Sequence, residues 1–261
     1  MLSFQRAIIA ASLIVSSVAT YANAAECQGK SAVHKTALLE LYTSEGCYSC
    51  PPADRWLSNL AEGQFENQEI VPLALHVDYW NYLGWKDPFS SKDYSKRQRR
   101  LGDVNKLRTI YTPQFVLNGQ DLRGWYKRNG TDAPIEEINQ QAAKASIDMT
   151  ILSDNSSLDV ATTVAMAQGQ SPDGYGLYVA VFENGLVSDI PRGENAGKTL
   201  HHDYVVRELR GPYKLSGQSD KVSQNFSIGK DWKSKDIGVA AFVQNPKTGD
   251  VLQAMMIKNC S

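Results

Sequence analysis

Cys47-Tyr48-Ser49-Cys50 places two thiols three residues apart, just ahead of Pro51-Pro52 and an apolar helical pattern. Such a pair supports three chemistries: disulfide exchange, half of a soft-metal site, or a structural staple. Disulfide exchange needs a thiolate. A cysteine near a helix start gains one from the positive end of the backbone dipole and its unpaired N–H groups. The two prolines complicate this. Pro51 disfavours helical geometry at Cys50, so the helix is expected to start at Pro51, with both cysteines in the preceding turn.

The other two cysteines are Cys27 and Cys260. If Cys47 pairs with Cys50, these two remain, one near each end of the chain. Chain ends often lie close together, so a structural disulfide between them is expected. The compartment suits disulfides. Residues 1–24 carry one early charge, Arg6, then an apolar run from Ala7 to Ala19 and a closing Ala22-Asn23-Ala24. This reads as a secretory signal peptide cut after Ala24, too short and too interrupted to span a bilayer. Export to the periplasm or beyond follows, with no membrane partner after cleavage.

The formal net charge of the 261 residues is −1. Without Arg6, 26 basic groups face 28 acidic ones, a near-neutral balance that gives no pull toward nucleic acid. The basic run 96–100, KRQRR, is expected to be a solvated helix face. His34 and His76 stand alone and are given no role. Residues 193–199, GENAGKT, imitate a phosphate loop but have three residues between the glycines where the motif needs four, so a long loop is expected. His201 and His202 are adjacent, and on a strand they would point to opposite faces, which argues against one shared metal.

Elements must position the pair. Residues 33–44 read as a strand, 53–63 as a helix with Trp56, Leu57 and Leu60 on one face, and 69–78 as a buried strand. Residues 90–108 read as a serine-capped helix with a possible break at Gly102. Residues 112–124 read as a hairpin about Asn118-Gly119, and 132–145 as a helix capped by Asp132. The order is β-α-β-α-β-β-α. From residue 147, alternating runs separated by Gly, Asn, Pro and Ser turns predict an antiparallel β-sandwich. The expected division is therefore an α/β domain over 25–146 and a β-sandwich domain over 147–261.

Strand 37–44, the CYSC pair with its following helix, and the later YTPQFVLNG resemble the thioredoxin superfamily over about half the chain. LELYTSEGCYSCPPAD, HVDYWNYLGWKDPFS and RGENAGKTLHHDYVVR more closely resemble a family of secreted bacterial proteins catalogued as domain of unknown function 1223. The second resemblance supplies no reaction. The first implies a thioredoxin-like fold, with Cys47 as exposed nucleophile, Cys50 as resolving thiol, and a cis Pro113 beside Thr112 facing the pair. It also implies a buried carboxylate serving the resolving cysteine. Glu40 is one residue out of register for that role, and a solvated strand-end glutamate is the other reading. Tyr79, Trp80, Tyr82, Trp85, Phe89 and Tyr94 crowd one stretch, and either wall a substrate site, with Trp80 and Trp85 in contact, or pack a long loop. The leading expectation is an exported thiol–disulfide oxidoreductase acting on protein or peptide thiols and disulfides, with no cofactor and no metal. The alternative is a binding protein whose pair holds a soft metal ion or forms a structural disulfide.

Overall fold

A computed structural model describes residues 25–60, 65, 69–127, 130–154 and 156–258. The proposed signal peptide and Cys260 lie outside these residues.

The chain opens with β1 (Ala25–Lys30) and β2 (Ala37–Thr43), then α1 (Pro51–Leu60), β3 (Ile70–His76) and α2 (Lys92–Val104). A hairpin of β4 (Gln114–Leu117) and β5 (Gln120–Leu122) leads to α3 (Asp132–Asn139). Next come β6 (Ala145–Ser153), β7 (Ser157–Met166), β8 (Gly176–Glu183), β9 (Leu186–Asp189) and β10 (Thr199–His202). The described chain closes with β11 (Val205–Lys214), β12 (Ser219–Ser227), β13 (Ile237–Gln244) and β14 (Val251–Lys258). The expected β-α-β-α-β-β-α order is present from β2 to α3.

Local chemistry explains these elements. Ala53, Trp56, Leu57 and Leu60 recur at helical spacing, and Trp56 meets Phe115 of β4 edge-on at 4.9 Å. Ser91 caps α2 by accepting the Asp93 N–H at 3.2 Å, and α2 passes through Gly102 without a break. Thr131, not Asp132, is the cap position of α3. Asn118 and Gly119 both take positive φ, 45° and 82°, as a two-residue hairpin turn requires. A side chain at Gly119 would run into the carbonyl of Gly249.

The described strands form three sheets. The largest runs β14-β13-β8-β11-β3-β2-β4-β5. β2 and β3 pair in parallel, joined through α1, and β4 pairs antiparallel to β2. A four-stranded sheet runs β1-β6-β7-β12, and β9 and β10 form a separate ribbon. The four-stranded sheet packs on the β8, β13 and β14 part of the large one. Ile147, Met149, Val160 and Phe226 meet Leu177, Val179, Val181 and Val239 there. On the other face of β8, Tyr178, Ala180 and Phe182 join the core under the helices. β8 is thus buried on both sides, which accounts for its unbroken apolar run.

The expected boundary between residues 146 and 147 falls inside β6, and the large sheet continues across it where β11 meets β3. β1 pairs with β6, so the first described strand sits in the sandwich. Edge pairing of this kind leaves no signature in either strand alone.

Candidate functional site

The cysteine turn sits between β2 and α1. The Cys50 carbonyl accepts the N–H groups of Ala53 (2.8 Å) and Asp54 (3.1 Å), so Cys50 is the helix cap. Pro51 and Pro52 then fill the first two helical positions, where a missing N–H costs nothing. This resolves the proline departure as expected, and it leaves Cys47 three residues ahead of the cap. Cys47 and Cys50 form a disulfide with Cα atoms 5.4 Å apart.

Thr112, 65 residues on, is brought to this turn. Its Oγ1 donates to Cys47 Sγ at 3.3 Å and accepts from Trp80 Nε1 at 2.8 Å. The Thr112-Pro113 bond is cis. Cys47 was expected as the exposed sulfur, but it is 1% exposed and Cys50 0%. The cover is the GENAGKT loop between β9 and β10. The Asn195 side-chain amide, wholly buried, donates to the carbonyls of Glu45 (2.8 Å) and Cys47 (3.0 Å). Glu194 accepts the Tyr48 N–H at 3.0 Å, and Lys198 Nζ lies 4.3 Å from the Tyr48 ring centroid. Sequence spacing reads this segment only as a loop; its docking depends on contacts across about 150 residues.

Behind the turn lies a buried cluster that the sequence does not announce. His76, the last residue of β3, holds Nδ1 2.7 Å from Asp87 Oδ2. Burial works against charge on His76, but Asp87 outweighs it and holds the imidazole pKa up at about 9. Burial pushes Asp87 up, and the charge of His76 carries it below the usual carboxylate value. His202, on the inward face of β10, has Nε2 3.3 Å from Glu45 Oε1 and Nδ1 3.7 Å from Asp54 Oδ2. Its ring meets that of His76 edge-on at 5.1 Å. Burial raises the Asp54 pKa, and His202, His76 and the Thr43 hydroxyl beside its carboxylate oppose that rise. Among the described residues, no three His, Cys, Asp or Glu side chains are arranged to hold a metal ion. His202 sits between two carboxylates with its nitrogens pointing apart.

Glu40 is neither solvated nor turned toward the cysteines. Both its oxygens are held by Arg97, at 2.6 and 3.0 Å, and Tyr42 donates to it at 3.2 Å. Arg97, the second residue of the basic run, is 3% exposed, which corrects the expected solvated face. Trp85 gives its indole N–H to Glu45 Oε2 at 2.6 Å, so Trp80 and Trp85 both spend their polar atoms on internal partners. Cys27 lies on β1 and is not a free thiol.

Fold and site together define a β-rich protein with a buried disulfide at a strand–helix junction. The chain belongs to the family of proteins of unknown function DUF1223, whose model matches residues 38–244. The crystal structure of protein AGR_C_4864 from Agrobacterium tumefaciens is similar, with 26% identity and a TM-score of 0.59 over 86% of this chain and 95% of that one. HBP35 of Porphyromonas gingivalis shares the fold at 15% identity, with a TM-score of 0.65 over 88% of this chain and 76% of that one. No functionally curated protein matches the chain. Among the described residues, no helix is long and apolar enough to cross a membrane.

Proposed function

We propose that the protein is an exported thiol–disulfide exchange protein, with Cys47 and Cys50 as the working pair and protein or peptide thiols and disulfides as partners. One observation carries this reading: Thr112 and the cis Pro113 segment come back to the disulfide, with Thr112 Oγ1 3.3 Å from Cys47 Sγ. The β2-α1-β3 unit, α2 and the β4–β5 hairpin support the thioredoxin-like arrangement to which such a juxtaposition belongs. Thr112, Trp80 and Trp85 would then border an incoming partner, and residues 1–24 would direct export.

A staple role accounts poorly for the pair. A bond between residues three apart closes a very short loop and stabilises by about 2 kcal/mol on chain-entropy grounds. The burial of Cys47 is the observation that favours the staple. In the exchange reading, the 193–198 cover must swing away before a protein partner can reach the sulfur.

Trapping decides between them. After reduction, Cys50→Ser should accumulate mixed disulfides through Cys47 with an unfolded, disulfide-containing substrate. If thiols in the folded, reduced protein react only after denaturation, the pair is a staple.

A further inference from the structure

Beside the cysteine turn, a cavity of about 510 Å³ lies between the start of α1 and the end of the ribbon loop. Tyr48, Pro51, Pro52 and Arg55 border it from one side, and Lys198 with the start of β10 from the other. Tyr48 is 65% exposed, so the turn that hides both sulfurs still presents a large ring to solvent. Two charged side chains border this cavity, Arg55 and Lys198, and both are cations. Lys198 Nζ donates to Asn195 Oδ1 at 2.9 Å and lies over the Tyr48 ring, and neither partner carries a charge. Arg55 is exposed on α1. No ion pair among the described residues includes either cation.

The acids around the loop are held by other groups. Glu194 accepts the Tyr48 N–H at 3.0 Å, Asp189 the Thr199 hydroxyl at 2.6 Å, and Asp203 the Gly185 N–H at 2.8 Å. A second cavity, of about 390 Å³, continues the first, since Pro51, Arg55, Thr199 and Leu200 border both. Carboxylates, those of Asp54 and Asp203, border only the second. The cleft is therefore cationic next to the cysteine turn and changes sign along its length.

We infer that this cleft selects exchange partners by charge: it takes an extended protein or peptide segment with an Asp or Glu close to its reacting cysteine. The inference rests on the exchange reading above and names the partner's chemistry. Arg55 lies five residues beyond Cys50, about 7.5 Å along the helix, a span that two or three extended residues cover. The acidic residue is thus placed within a few positions of the partner sulfur. Acids farther along would meet Asp203, and a Lys or Arg next to the sulfur would meet like charge. Arg55 and Lys198 act on recognition and leave the bond-making to the sulfurs.

The test uses three peptides that differ only in the residues flanking one cysteine: Glu, Ser or Lys. Each cysteine carries a pyridyl disulfide. The Cys47 thiolate of the reduced, folded protein bonds the peptide sulfur. The peptide–pyridyl S–S bond breaks, and the pyridyl sulfur leaves with the electron pair as an absorbing thiopyridone. Cys50 then bonds Cys47, its proton passes to solvent, and the peptide leaves as a thiol. Each rate is divided by that peptide's rate with dithiothreitol, which removes the intrinsic effect of the flanking charge.

At low salt, wild type should take the Glu peptide roughly tenfold faster than the Lys peptide, with Ser between them. Added salt should draw the ratio toward unity. Arg55→Glu should abolish or invert the preference, and Arg55→Lys should keep most of it. Lys198→Gln should also lower the ratio, even where loosening Asn195 speeds all three peptides. If Arg55→Glu does not fold, the salt dependence in wild type decides. A wild-type ratio near unity at low salt, or one that Arg55→Glu or salt leaves unchanged, overturns charge selection and leaves exchange standing. If all three rates fall together as protein concentration rises and light scattering shows dimers, a second copy fills the cleft and the peptide is overturned as its occupant. A folded wild type that releases no thiopyridone from any peptide overturns both readings.

Discussion

Arg97 grips Glu40 through two parallel hydrogen bonds, Nε to Oε1 at 2.6 Å and Nη2 to Oε2 at 3.0 Å, with both side chains buried. Burial works against the guanidinium charge and the neighbouring carboxylate outweighs it, so Arg97 stays protonated. The same Nη2 donates to Gln244 on β13 at 2.8 Å, and the guanidinium lies over the rings of Tyr178 and Phe242. One cation thus ties α2 and β2 to strands from the second half of the chain.

Glu40→Gln should therefore act on stability. Leaving Arg97 uncompensated costs about 3–5 kcal/mol, read as a lower urea midpoint with an unchanged slope. Thiol exchange rates at a temperature where the variant is folded should stay within a few-fold of wild type. A selective loss of the resolving step in this variant would return Glu40 to the site.

Asn195→Ala tests the cover. The variant strands the carbonyls of Glu45 and Cys47 and should cost about 1–3 kcal/mol. Under native conditions, dithiothreitol should reduce its disulfide faster than that of wild type. An unchanged reduction rate would mean that the loop does not limit access.

The His76–Asp87 pair sets a pH window for stability. His76 has its folded pKa raised from 6.5 to about 9, so its contribution is complete below 6.5 and fades as pH climbs through 9. Asp87 is shifted down, so its contribution is present above 3.8 and is lost as pH falls below it. Melting temperature should drop on both sides, and His76→Asn should flatten the alkaline limb, a loss on the order of 3 kcal/mol. Calorimetry from about pH 2 to 10, spanning both limbs, provides the check.

Reduction of Cys47–Cys50 should lower unfolding free energy by only about 2 kcal/mol, and Cys47→Ser should match the reduced wild type. A loss well beyond that would mark the bond as architectural.

Features written in neighbouring residues were legible. The apolar runs of β2 and β3, the Ser91 cap, the Asn118-Gly119 turn and the helix start at Pro51 all follow from local pattern and local sterics. Features that depend on distant partners were not. Arg97 sits in a run of five polar residues, and nothing nearby reveals that Glu40, 57 positions earlier, will neutralise it. His76 ends an apolar strand, where a lone imidazole gives no hint of Asp87. Asn195 is one polar residue in a polar loop until the fold lays it on the Cys47 carbonyl. The continuity of the large sheet was hidden for a related reason: a strand's own residues record that both faces are covered, not which strand lies beside it.

Among the described residues the β9–β10 ribbon pairs with no other sheet, yet it supplies both Asn195 in its connecting loop and His202 at its end. Lifting the loop off the Glu45 and Cys47 carbonyls would therefore also move the imidazole between Glu45 and Asp54. In the exchange reading, a partner that pries the ribbon loose would both uncover the cysteine turn and unseat His202 from its two carboxylates.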